Sequence, residues 1–178
     1  MATKRKAAIS SSLTAALVLA FTVFTAAVQA IVPAAAADTH LMWDRKCGGC
    51  HGHAGPFARK SLQVVDGELR GRHHQNDLQN FLQQHNGGYT REDISAITAM
   101  LRVQATTPPL FQQKCAGCHS TAAQLVREQV ISRDGDLYGR HSNRRIADFL
   151  NHHGSLAPDE VPGMLDTLAR IDREVHRP

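Results

Sequence analysis

The chain has 178 residues, with 20 Lys and Arg against 16 Asp and Glu. Three of the basic residues, Lys4, Arg5 and Lys6, and none of the acids precede Asp38, so the remainder carries 17 against 16, net +1. That balance gives no case for a nucleic-acid partner, and a length of about 140 residues suits one ordinary domain or two very small ones.

Residues 1–37 read as a secretory signal: Lys4, Arg5 and Lys6, then a charge-free run with its apolar centre from Leu13 to Val28, then Pro33 and four alanines, Ala34 to Ala37. Cleavage after Ala37 leaves Asp38 first, and cleavage after Ala30 is the alternative. An uncleaved anchor is the competing reading, because the charge-free stretch from Ala7 to Ala37 is long enough to span a bilayer. Beyond it no apolar run approaches the roughly 20 residues of a spanning helix, so no membrane span is expected in the exported part. Export from a bacterial cell places the protein in the periplasm.

From Asp38 a short helix carries Trp43 four residues before Cys47, one turn away on the same face. The motif Cys47-Gly48-Gly49-Cys50-His51 follows. An extended stretch from Ser61 to Leu69 holds Asp66-Gly67, a turn signal for a small hairpin. Leu78, Phe81, Leu82 and His85 then fall at i, i+3, i+4 and i+7, one face of a helix. After a glycine-bearing loop comes a helix capped by Thr90, with Glu92 and Asp93 in its first turn and Ile94, Ile97 and Leu101 facing inward.

At Thr106-Thr107-Pro108-Pro109 the series ends, and Thr107 is expected to cap a new helix that opens with proline. Sixty-eight residues after its first occurrence the motif returns as Cys115-Ala116-Gly117-Cys118-His119, with Phe111 in place of Trp43. Asp134-Gly135 lies in the stretch Gln129 to Leu137, and Ile146, Phe149, Leu150 and His153 repeat the helical face. A last helix is expected from Pro158, with Val161, Met164, Leu165, Leu168, Ile171 and Val175 on one face. Lys46 and Lys114, Arg59 and Arg127, and Gly71-Arg72-His73 and Gly139-Arg140-His141 align as well, so the chain divides into a signal, 1–37, and two duplicated units, 38–106 and 107–178.

The two motifs use all four cysteines. In C-x-x-C-H two thiols one turn apart can form thioethers to the vinyl groups of a haem while the next residue offers an imidazole to iron. A four-thiolate zinc site usually separates its pairs by about 15 to 20 residues, whereas 64 intervene here. A disulfide framework is the other alternative in an exported chain. The expected cofactors are two covalently attached c-type haems, held by Cys47, Cys50 and His51 and by Cys115, Cys118 and His119. Seven large aromatics follow Ala37: Trp43, Phe57, Phe81, Tyr89, Phe111, Tyr138 and Phe149. So few barely sustain two small cores without a buried cofactor.

Candidate sixth ligands are His85 and His153, which follow His51 and His119 at one and the same spacing and sit on the apolar face; helix-end or hydrogen-bonded core histidines are the bland reading. His73 and His141, which also follow the motif histidines at a shared but shorter spacing, are the competing pair. His40, His53, His74, His152 and His176 do not recur in register and read as solvated surface. Arg72 and Arg140 read either as bidentate partners of haem propionates or as solvated turn residues. Gly71 and Gly139 read as backbone devices for positive φ or close approach. Met100 and Met164 do not align between the units and read as core filler.

On these residues the chain resembles diheme c-type cytochromes made of two tandem class-I-like cytochrome c units, over residues 38 to about 175. The resemblance implies an all-α fold, each unit able to hold one short hairpin, and electron transfer with a redox partner protein. The family's usual ligand is a methionine a few residues before the last helix, and here His85 and His153 occupy that place. The expected function is a periplasmic electron carrier or the electron-transfer subunit of an oxidoreductase. The alternatives are a small haem enzyme of peroxidase or reductase type, or a haem sensor, with one axial position open. No other catalytic motif is present.

Overall fold

The structure is a computed structural model and describes residues 38–85 and 88–176. The export-signal reading falls on residues 1–37, outside the described residues. In the first repeat α1 (Thr39–Lys46) runs through Cys47 into a single turn, α2 (Gly48–His51), followed by α3 (Ala54–Ser61), β1 (Leu62–Val65), β2 (Glu68–Gly71), α4 (Leu78–Leu82) and α5 (Arg91–Thr106). The second repeat follows the same order with α6 (Leu110–Lys114), α7 (Ala122–Gln129), β3 (Val130–Arg133), β4 (Asp136–Gly139), α8 (Ile146–Leu150) and α9 (Val161–Val175).

The all-α expectation is corrected: each repeat contains a two-stranded antiparallel sheet, so the fold is mixed α and β. The cause is local. Asp66 and Gly67 take φ of 51° and 77°, and Asp134 and Gly135 take 51° and 83°. Two successive left-handed residues make the tight turn whose twist matches paired strands. The pairs Val65–Glu68 and Arg133–Asp136 close the two turns. Strand alternation then buries Leu62 and Leu69 in one repeat, Val130 and Leu137 in the other.

The longer helices carry their own start signals. Thr90 and Asp93 form a reciprocal capping box on α5, the side chain of each accepting the other's backbone N–H. Helix α9 begins at Val161, later than the expected Pro158, because the Glu160 carboxylate accepts the Ala157 N–H at 2.7 Å and closes a turn first. Thr107 does not cap α6. Helix α5 continues through Thr106, the Thr107 N–H bonds the Val103 carbonyl, and α6 starts behind Pro109.

Residues 38–176 belong to one unit that contains two separate cores, each built from one repeat. In the first, α3 packs on α5 around Ala58, Leu62, Ile97 and Leu101. In the second, α7 packs on α9 around Val126, Val130, Leu168 and Ile171. Met100 and Met164 are 1% and 0% exposed, which makes them core residues of these helices. Helix α1 packs against both α5 and α9, so it touches the other repeat as well as its own. Among the described residues no helix is long and apolar enough to cross a membrane.

Candidate functional site

The two motifs adopt the same turn. The Cys47 N–H bonds the Trp43 carbonyl at 2.8 Å, and the N–H groups of Cys50 and His51 both reach the Cys47 carbonyl, at 3.1 and 2.9 Å. In the second repeat Cys115 bonds Phe111 at 2.8 Å, and Cys118 and His119 reach the Cys115 carbonyl at 3.1 and 2.9 Å. A helix thus runs directly into each motif and fixes its first cysteine. Cys47 and Cys115 are half-buried, Cys50 and Cys118 are exposed, and none is in a disulfide.

Opposite each motif histidine stands the later histidine of the same repeat. The ring centres of His51 and His85 are 6.0 Å apart, and those of His119 and His153 are 6.2 Å apart. Two imidazoles binding one metal ion from opposite sides need ring centres about 6 Å apart, given metal–nitrogen bonds of about 2 Å and the depth of each ring. Both pairs have that spacing between ring centres. Among the described residues no group of three His, Cys, Asp or Glu gathers to hold a metal ion, so the four-thiolate zinc alternative finds no site. Two imidazoles and two thiols per repeat are the residue types that would hold a covalently attached haem.

The segment that presents the second histidine differs from expectation. Helices α4 and α8 end at Leu82 and Leu150, so His85 and His153 lie just past them in a turn rather than on a continued helical face. The N–H groups of Gln84 and His85 both bond the Phe81 carbonyl, which tightens the chain there. Nor does Phe81 share the buried face: Leu78 and Leu82 are buried, whereas Phe81 is 44% exposed and Phe149 is 39% exposed. Each phenylalanine stacks on its histidine, with ring centres 4.6 Å apart for Phe81–His85 and 4.4 Å for Phe149–His153. The leucines anchor the segment, and the Phe–His pair forms an apolar surface beside the motif histidine.

The surroundings of the two pairs are not the same. His51 has the Phe57 ring at 4.7 Å and the Trp43 ring at 6.2 Å, and the Trp43 indole N–H donates to the Gly52 carbonyl at 2.8 Å. The matching positions in the second repeat are Leu125 and Phe111. The Tyr89 hydroxyl lies 3.8 Å from Cys47 Sγ, where the second repeat has Ala157. Burial pushes both the Cys47 and the Cys115 thiol up, the Tyr89 contact opposing this at Cys47. A free thiolate nucleophile is favoured by the opposite shift.

His73 and His141 lie in the exposed turns after β2 and β4, and no ring contact joins either to a motif histidine among the described residues. Gly71 and Gly139 do not take positive φ; Gln75 and Asn143 do, at 54° and 56°, and close the turn that returns to those glycines. At Gly139 an added Cβ would meet the Ser142 hydroxyl, so the close approach there is to a side chain of the same turn. Arg140 donates to the carbonyls of Arg127 and Val130, and Arg72 is exposed.

The surface reading of His40 is corrected. It is 7% exposed, and its Nε2 lies 2.7 Å from Glu174 on α9. Sequence periodicity offers no sign of this, because the partner lies at the far end of the chain. Nor does the sequence single out Phe57 and Tyr89 for the site. Their only advance signal is that they are aromatics where the second repeat has Leu125 and Ala157.

Compared with protein-family models, with curated proteins and with solved structures, the chain matches none.

Proposed function

We propose that the chain is a diheme c-type cytochrome that works as a periplasmic electron carrier, or as the electron-transfer subunit of an oxidoreductase, exchanging electrons with a redox partner protein. The observation that carries the proposal is the repeated imidazole pair, with ring centres 6.0 Å apart in His51–His85 and 6.2 Å apart in His119–His153, each with one member in a C-x-x-C-H turn. Cys47 and Cys50, and Cys115 and Cys118, are assigned as the thioether attachments. His51 and His119 are assigned as proximal ligands, with His85 and His153 as the sixth. A haem so held supplies a one-electron change at iron.

The residues of the chain do the rest. Leu78 and Leu82, and Ile146 and Leu150, hold the ligand-bearing segment against the core. Phe81 and Phe149 lie against the outer histidines and present apolar surface to a macrocycle. A haem held by a histidine on both sides would have no open position for substrate, which supports electron transfer over catalysis at the metal.

Absorption and EPR spectra of the oxidised protein test this. The expected result is two low-spin, six-coordinate centres that do not take up carbon monoxide when reduced. A high-spin centre that binds cyanide or carbon monoxide readily would overturn the carrier reading and favour a small haem enzyme or sensor.

A further inference from the structure

Helix α1 delivers the first cysteine of the first motif, yet its opening turn is held by the other repeat. Asp38 caps α1 through Oδ1, which accepts the Leu41 N–H at 2.8 Å. Its Oδ2 accepts from Arg127 Nε on α7 at 2.8 Å, with Arg127 Nη2 2.7 Å from the same oxygen. Two residues on, His40 Nε2 lies 2.7 Å from Glu174 Oε2 on α9. Arg170 donates to both oxygens of that carboxylate at 2.7 Å. The His40 and Glu174 side chains are 9% and 13% exposed and that of Asp38 is 14%, so solvent and salt screen these contacts weakly.

The arrangement is one-sided. The offset that superposes the two motifs places Thr106, Thr107 and Pro108 opposite Asp38, Thr39 and His40, so α6 has neither the carboxylate nor the histidine. Its only charged tie at the motif end, among the described residues, is Lys114 to Glu160, inside its own repeat. What reaches α6 from the first repeat is Arg59, donating to the neutral amide of Gln112 at 2.8 Å. Arg59 and Arg127 are aligned residues, but only Arg127 meets a carboxylate across the junction.

We infer that the second repeat positions the ligand site of the first. Asp38–Arg127 and His40–Glu174 set where α1 lies, and α1 sets Trp43, which bears on Phe57 and the His51 ring and bonds the Gly52 carbonyl behind it. Arg127 and Glu174 are thus positioning residues for the His51–His85 centre although they belong to the repeat that holds the other centre. This inference rests on the reading of His51 and His85 as axial ligands.

The test uses the full-length holoprotein and EPR of its two low-spin centres, with redox titration. A His85→Met variant first identifies which signal belongs to the first repeat. Arg127→Gln combined with Glu174→Gln is expected to shift that signal and its potential while leaving the second centre unchanged. Arg127→Lys restores part of the shift, and Arg145→Gln, which breaks an exposed pair with Asp136 inside the second repeat, moves neither. Where the double variant does not accumulate, Glu174→Gln alone gives the same reading. Two centres that stay unchanged in these variants, or that shift together, overturn the inference while the diheme reading stands. A wild-type protein without two low-spin centres overturns both.

Discussion

Phe81 and Phe149 stay well exposed while stacking on histidines, so the side chains that follow them are held in orientation by ring contact rather than by burial. Replacing His85 or His153 by Ala is therefore expected to convert one centre to a high-spin, ligand-binding form and leave the other low-spin. His73→Ala and His141→Ala should leave both spectra largely intact, since their rings lie in exposed turns. Glu174 gives a pH dependence. Burial pushes its carboxyl up, but the hydrogen bond with His40 and the Arg170 charge outweigh this and hold it below the usual range. A depressed folded value contributes stability that is complete above the unfolded value near pH 4.3 and is lost as pH falls through the folded value below it. Acid unfolding should show this loss in the wild type and a flatter curve over that range in Glu174→Gln. At this scale the two C-x-x-C-H motifs and the His85 and His153 recurrence are legible in the sequence, because each is a spacing within one repeat. His40 is not, because its partner is fixed only by how α9 packs.

The hairpins show how two residues set an element. Gly67 and Gly135 take φ of 77° and 83°, where a Cβ is strained though no neighbour stands in its way. Gly67→Ala and Gly135→Ala should each cost about 1 to 2 kcal/mol, read as a lower midpoint in denaturant with the slope unchanged. The Asp-Gly signal locates both turns in the sequence and allows a short hairpin in each unit, yet the fold class expected from the resemblance is all-α. The helix expected to reach His85 illustrates the reverse error. The i, i+3, i+4, i+7 spacing is real, but Leu78 and Leu82 bury while Phe81 turns outward, so a single apolar face is the wrong inference from a correct spacing. Thr107 fails as a cap because α5 still holds its N–H.

Across the whole molecule, duplication accounts for two cores of similar plan, and the junction accounts for their difference. Sliding the sequence onto itself exposes the first directly; the second depends on Asp38, His40, Arg127 and Glu174, which come together only through the packing of α1 on α9. Trp43, Phe57 and Tyr89 further separate the first site from the second. On the proposed ligation, histidine stands where cytochromes c carry the methionine that raises potential. Both centres are therefore expected below a His/Met cytochrome of similar exposure in a redox titration. The near-infrared band of an iron–methionine bond would contradict this, and with it the core placement of Met100 and Met164.

Every ligand assignment depends on covalent haem. Pyridine-haemochrome analysis with intact mass of the purified protein should give two haems per chain, with one lost, or accumulation abolished, in Cys47→Ala, since so small a core depends on its cofactor. A folded, haem-free protein that carries one zinc ion on its four cysteines would contradict it.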